Sequence, residues 1–186
     1  RPGVGELAPI TVANTAPPTL VSYYPNYQSR AWECVYLDPK ESPGVRSLEA
    51  AIARLAALCR SQGRRAGVLY FPIKQTIHPP SPDDQEPWVA FLKRTLPWIE
   101  PEGWDREKIV TAGRLLLEGD RRLEAHLASV CDSLGVLFHS TIPALEREVQ
   151  TSRSLTYYRF DTHWNSRGNA AVGRDVAAWI DSIWEG

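Results

Sequence analysis

An aspartate and a histidine separated by a single threonine, Asp161-Thr162-His163, are the residues of this chain best suited to acid-base chemistry. A histidine changes charge near neutral pH. A carboxylate bound to its Nδ1 fixes the tautomer, stabilises the imidazolium and leaves Nε2 to move a proton. Two positions apart on an extended loop, the side chains lie on the same side, so such a bond is feasible. The same residues also suit a plain capped turn, with Asp161 accepting backbone N–H groups and His163 packed against Trp164. The catalytic reading needs a nucleophile. Ser22 follows a Pro-Pro loop and Ser140 ends a strand, but neither has the small-residue turn that exposes a serine Oγ. His78, His126 and His139 show no H-E-x-x-H or paired spacing, so no metal is expected. No Gly-rich phosphate loop is present either, and no cofactor is expected.

Strand and helix signals alternate around this loop and must position it. Ile10–Asn14 and Trp32–Leu37 are β-branched or aromatic runs that stop at Pro-Pro and Asp-Pro, and both predict strands. Ser47 can cap a helix whose apolar face is Leu48, Ile52, Leu55 and Cys59, with Gly63 as its stop. Gly67–Phe71 predicts a buried parallel strand. Leu123, Leu127, Val130 and Leu134 predict a helix ending at Gly135, and Val136–His139 the next strand. A last helix carries Val172, Val176, Trp179, Ile180 and Ile183, with Asn165 or Ser166 as its cap. This order implies an α/β fold, a three-layer sandwich with a mainly parallel central sheet and right-handed crossovers. Ligands of such sheets bind beyond the carboxyl ends of the strands, which singles out Asn14, Thr15, Asp38, Lys74, Gln75, Ser140, Thr141 and the Asp161/His163 loop. Residues 79–112, proline-rich and carrying Trp88, Trp98 and Trp104, are too long for an ordinary connection and predict an insertion or lid.

Composition narrows the functions. The 186 residues suffice for one domain, residues 1–186, with a sizeable core, and 21 basic against 22 acidic residues give no general attraction to nucleic acid or anionic membrane. No apolar run approaches the roughly 18 residues of a membrane span, and no targeting segment is visible. The chain contains no methionine, so a segment upstream of residue 1 is expected. Cys34, Cys59 and Cys131, odd in number and without CxxC spacing, suit buried free thiols; one disulfide with a leftover thiol is the alternative in an oxidising compartment.

The longer word around the histidine, YYRFDTHWNSRGNAAV, resembles the carboxyl-terminal block of the SGNH, or GDSL-type, hydrolases, especially their carbohydrate O-acetyltransferase and acetyl esterase branches. Asp161, His163, Trp164, Asn165, Gly168 and Ala171 carry the likeness. GVLYFPIKQTIHP (67–79) and CDSLGVLFHSTIPAL (131–145) are similar to two further strand-loop segments of those proteins. ITVANTAPPT (10–19) looks like their V-x-N-x-G-x-P block, with Asn14 matching and Ala16 in place of the glycine. The resemblance implies an acyl-ester hydrolase or O-acetyltransferase acting on a carbohydrate or an acylated small molecule. His163 would be its base, Asp161 its orienter, and N–H groups near Asn14 and Ala16 its oxyanion donors. Lys74, Trp164, Asn165 and Trp88 would meet substrate. It also implies an extracytoplasmic location in a bacterium. Two features depart from the pattern: Asp38-Pro39-Lys40-Glu41 stands where a third block carries asparagine, and no G-D-S word occurs. The nucleophile is therefore expected outside the chain, upstream of residue 1 in the common block order or after residue 186 in a permuted one. The alternative is an inactive carbohydrate-binding or scaffold domain, in which Trp88, Trp98 and Trp104 would stack on sugars.

Overall fold

A computed structural model describes residues 10–12, 14–21, 39–83, 85–95 and 103–184. The fold is mixed α/β, with helices dominating two small sheets. Strands β1 (Ile10–Val12) and β2 (Thr19–Val21) form an antiparallel pair with Ile10 opposite Val21. Strands β3 (Gly67–Tyr70) and β4 (Leu137–Ser140) form a parallel pair with Gly67 opposite Leu137 and Tyr70 opposite Ser140. The parallel pairing agrees with the sequence. The strand expected over Trp32–Leu37 lies outside the described residues, as do Ser22, Cys34, Asp38 and Trp98.

Helix α1 (Pro43–Ser61) starts earlier than Ser47 would place it. Ser42 is the cap, its Oγ accepting Val45 N–H at 3.4 Å, and Pro43 occupies the first turn, where a missing N–H costs nothing. Ser47 instead donates back to the Pro43 carbonyl. The buried face shifts with the start: Val45, Ile52 and Ala56 face inward, while Leu48 and Leu55 are exposed. The helix stops as expected, with Gly63 left-handed at φ 63°.

Between β3 and β4 run α2 (Lys74–Ile77), α3 (Gln85–Thr95) and α4 (Arg106–Ser133). Asp105 caps α4 through Lys108 N–H at 2.8 Å, and left-handed Gly135 follows its end. Helix α5 (Ile142–Ser152) follows β4, and α6 (Ser166–Trp184) closes the described fold. None of the described helices is long and apolar enough to cross a membrane.

Two apolar clusters make the core. Ile10, Val12 and Val21 of the β1–β2 pair pack with Trp88, Phe91 and Leu92 of α3 and with Ile109, Ala112 and Leu116 of α4. Ile52 of α1, Tyr70 of β3, Leu127 and Cys131 of α4, Leu145 and Val149 of α5, and Val172 of α6 form the second. Helix α4, 28 residues long, supplies both clusters and so ties them together. The stretch 79–112, expected as an insertion or lid, contains α3 and the first turns of α4, and both contribute to the first cluster. Cys131 is fully buried and Cys59 partly so, and both are free thiols.

Candidate active site at the Asp161–His163 loop

The sequence between α5 and α6 folds into a short closed loop. Its neck is an isolated antiparallel bridge between Tyr157 and Trp164, reinforced by Tyr158 N–H donating to the His163 carbonyl at 3.1 Å. Below the neck, Thr156 accepts Asn165 N–H at 3.0 Å through its carbonyl. Asn165 is the cap of α6: its Oδ1 accepts Gly168 N–H at 3.0 Å, while its Nδ2 donates to the carbonyls of Leu155 and Tyr157. Gly168 is required here, since a Cβ would lie 2.1 Å from the Thr156 carbonyl oxygen. Helix start and loop neck are therefore one packed unit.

Lys74 fills the inside of the loop. Rising from the first turn of α2, its ammonium donates to the carbonyls of Tyr158 (2.6 Å), Arg159 (2.9 Å) and Asp161 (3.0 Å). The residue is only 3% exposed, and burial pushes its pKa down to about 8, opposed by the Asp161 carboxylate. Lys74 therefore holds the backbone that carries Asp161, and its head is turned away from the solvent-facing position expected of a substrate contact.

At the top of the loop, one carboxylate oxygen, Asp161 Oδ1, accepts both the His163 backbone N–H at 2.9 Å and the ring Nδ1–H. These bonds, the backbone one first, hold the Asp161 carboxyl below its ordinary value. The Asp161 bonds expected of a capped turn and of an acid-base pair are thus made together. Donation from Nδ1 leaves Nε2 as the acceptor of a neutral ring. It has no hydrogen-bond partner among the described residues. The His163 side chain is 80% exposed. It borders a cleft of about 390 Å³ with Phe71, Pro72, Tyr157, Thr162, Trp164 and Asn169. Trp164 meets Phe71 edge-on at 5.0 Å, giving the cleft an aromatic wall.

The other histidines are structural. His126 joins α4 to Glu49 of α1 at 2.5 Å, and His139 joins β4 to Asp175 of α6 at 2.6 Å while stacking on Trp179. His78 is fully buried. Its Nδ1 donates to Asn14 Oδ1 at 3.2 Å and its Nε2 accepts Thr156 N–H at 3.1 Å. Burial, then the Lys74 charge, pushes its pKa down to about 4.

Several expected site residues are placed elsewhere or otherwise engaged. Asn14 donates from Nδ2 to the Ile77 carbonyl at 2.7 Å and accepts from His78, and the Ala16 N–H donates to the Arg153 carbonyl at 2.7 Å. The Ala16 N–H is therefore not open to an oxyanion in this arrangement, and one of the two Asn14 Nδ2 hydrogens is taken by the Ile77 carbonyl. Trp88 is 5% exposed and stacked on Phe91 in the first core cluster, so it offers no ring face to a sugar. Ser140 Oγ accepts Ile142 N–H at the start of α5. No described serine is bonded to His163.

Sequence reasoning missed Asp120. Only 6% exposed, its side chain accepts Tyr70 Oη–H at 2.5 Å, Thr76 Oγ1–H at 2.6 Å and Ile73 N–H at 3.3 Å, tying the end of β3 and the start of α2 to α4. Burial raises its pKa. A signal existed: Asp120 sits four residues after Leu116 and seven before Leu127, on the apolar stripe. Among the described residues no group of three His, Cys, Asp or Glu could hold a metal ion. Comparisons with protein-family models, curated proteins and solved structures find no match to this chain.

Proposed function

We propose that this chain carries the acid-base half of an SGNH-like acyl-ester hydrolase or O-acetyltransferase acting on a carbohydrate. The observation that carries the reading is Asp161 fixing His163 through Nδ1 while Nε2 is left open beside an aromatic-walled cleft. In the reaction, a serine hydroxyl brought to Nε2 from outside the described residues loses its proton to His163. Its oxygen bonds to the ester carbonyl carbon as the carbonyl electron pair moves onto oxygen. The tetrahedral adduct collapses, the sugar oxygen leaves with the proton from Nε2, and an acyl-serine results. Water or a second hydroxyl, deprotonated by the same nitrogen, then takes the acyl group. Asp161 stabilises the imidazolium in both halves, and Lys74 acts at one remove as a positioning residue. In this reading β3 and β4 belong to a larger, mainly parallel sheet of a three-layer sandwich. Parallel strands are covered by helices on both faces, and α1, α4, α5 and α6 all contribute to the core around this pair.

The engagement of the Asn14 and Ala16 donors favours a second reading, a domain with this loop that binds carbohydrate without turnover. An organophosphonate ester, which traps activated serines, separates the two. Treating the full-length protein and mapping the adduct by mass spectrometry is expected to mark one serine, with labelling lost in His163→Ala. Absence of any serine adduct would favour the binding domain.

A further inference from the structure

A cleft of about 660 Å³ lies next to the His163 cleft and shares Tyr157 with it. Its charged lining is one-sided: Arg153, Arg159, Arg167 and Arg174 against Glu148 alone, in a chain whose formal net charge is −1. Glu148, on α5, engages Arg167 at 3.0 Å with one carboxylate oxygen and Arg174 at 3.3 Å with the other. Those two guanidinium groups, seven residues apart on α6, are thereby held along one wall. Arg153 and Arg159 make no side-chain ion pair or hydrogen bond among the described residues.

Arg153 carries the second observation. It follows α5 in the left-handed region, at φ 52° and ψ 32°. A side chain there costs about 1 kcal/mol, which is why glycine is favoured. The other three positive-φ positions among the described residues, Gly63, Gly103 and Gly135, are all glycine. At this one turn the chain keeps an arginine in a conformation that disfavours it, at the edge of a cleft with three more.

We infer that this cleft binds an anionic group, a phosphate or a carboxylate, on a ligand. Guanidinium forks suit both anions, and charge-assisted hydrogen bonds inside a concave site are stronger than neutral ones. The site stands apart from ester turnover, because binding is measurable whether or not His163 acts as a base.

The test is calorimetric titration of the full-length protein with inorganic phosphate, a hexose 6-phosphate and trigalacturonate, with the neutral hexose as control. At least one anion is expected to bind in the millimolar range or tighter, weakening as salt is added. Arg153→Gly with Arg159→Ala is expected to weaken it by about tenfold or more. Arg153→Gly alone relieves the left-handed strain, so its melting temperature should hold or rise while affinity falls, which separates lost binding from lost folding. Preference for the phosphates or for the uronate identifies the source of the anion. No binding of any anion up to about 10 mM, equal binding of the neutral hexose, or unchanged affinity in the double variant would overturn the proposal.

Discussion

His78 and Lys74 do at the level of single side chains what the exposed His163 cannot do for itself, which is to fix the loop that presents it. His78 is buried neutral, with a folded pKa of about 4 against 6.5 for the ordinary group. Between those values the unfolded chain binds a proton that the native state refuses, so stability rises with pH across this window and falls on acidification. The loss from pH 6.5 to 4 should approach about 3 kcal/mol. Urea unfolding of His78→Gln is expected to show a smaller acid-induced loss over that window than the wild type. Equal losses would show that His78 does not carry the acid sensitivity. Lys74→Met keeps the bulk but leaves three carbonyls without their ammonium, a loss of about 3 kcal/mol. It should also open the loop to protease cleavage between Tyr158 and His163, read by limited proteolysis. Lys74 was within reach of the sequence as a residue after a strand and His78 only as a metal ligand to be excluded, but neither role was legible. The family resemblance made Lys74 a substrate contact, and the plain alternative was a solvated loop lysine. Here the loop wraps around it.

Among the elements, α6 shows how helix start and site depend on one another. Of the two caps the sequence offers, Asn165 and Ser166, it is Asn165 that caps the helix, and its side chain bonds three backbone groups of the loop neck and helix. Gly168→Ala would drive a methyl into the Thr156 carbonyl oxygen, a rigid neighbour. We expect a destabilisation of about 3 kcal/mol by chemical denaturation. Because Thr156 also holds His78, the loop above should shift with it. A variant as stable as wild type would show that α6 can move freely against the neck. Other boundaries were harder to read. Ser47 and Ser42 are both caps by type, and Pro43 was the clue that decides between them. Strand β2, three residues beside a Pro-Pro turn, is too short to leave a period. Asp120 stands among the charged residues Glu118, Arg121 and Arg122, although its spacing places it on the buried stripe.

For the molecule as a whole, the alternation of apolar runs specified the parallel β3–β4 pair and the helices around it, because buried strands and amphipathic helices leave distinct periods. It did not specify the division of the core into two clusters joined by α4, since that depends on which faces meet across more than sixty residues of chain. The candidate site was legible to the same degree. Two residues apart in sequence, Asp161 and His163 form their bond locally, whereas the fate of Asn14 and Ala16 was set by His78, Ile77 and Arg153, which no local pattern reveals. The proposed function stands on His163 acting as a base oriented by Asp161. The most direct measurement is the rate at which the full-length protein releases acetate from an acetylated sugar, in the wild type, His163→Ala and Asp161→Asn. We predict a fall of about a thousandfold for His163→Ala and a large fall for Asp161→Asn, with folding intact in both because Lys74 and Asn165 hold the loop. Wild-type rates in His163→Ala would contradict the claim.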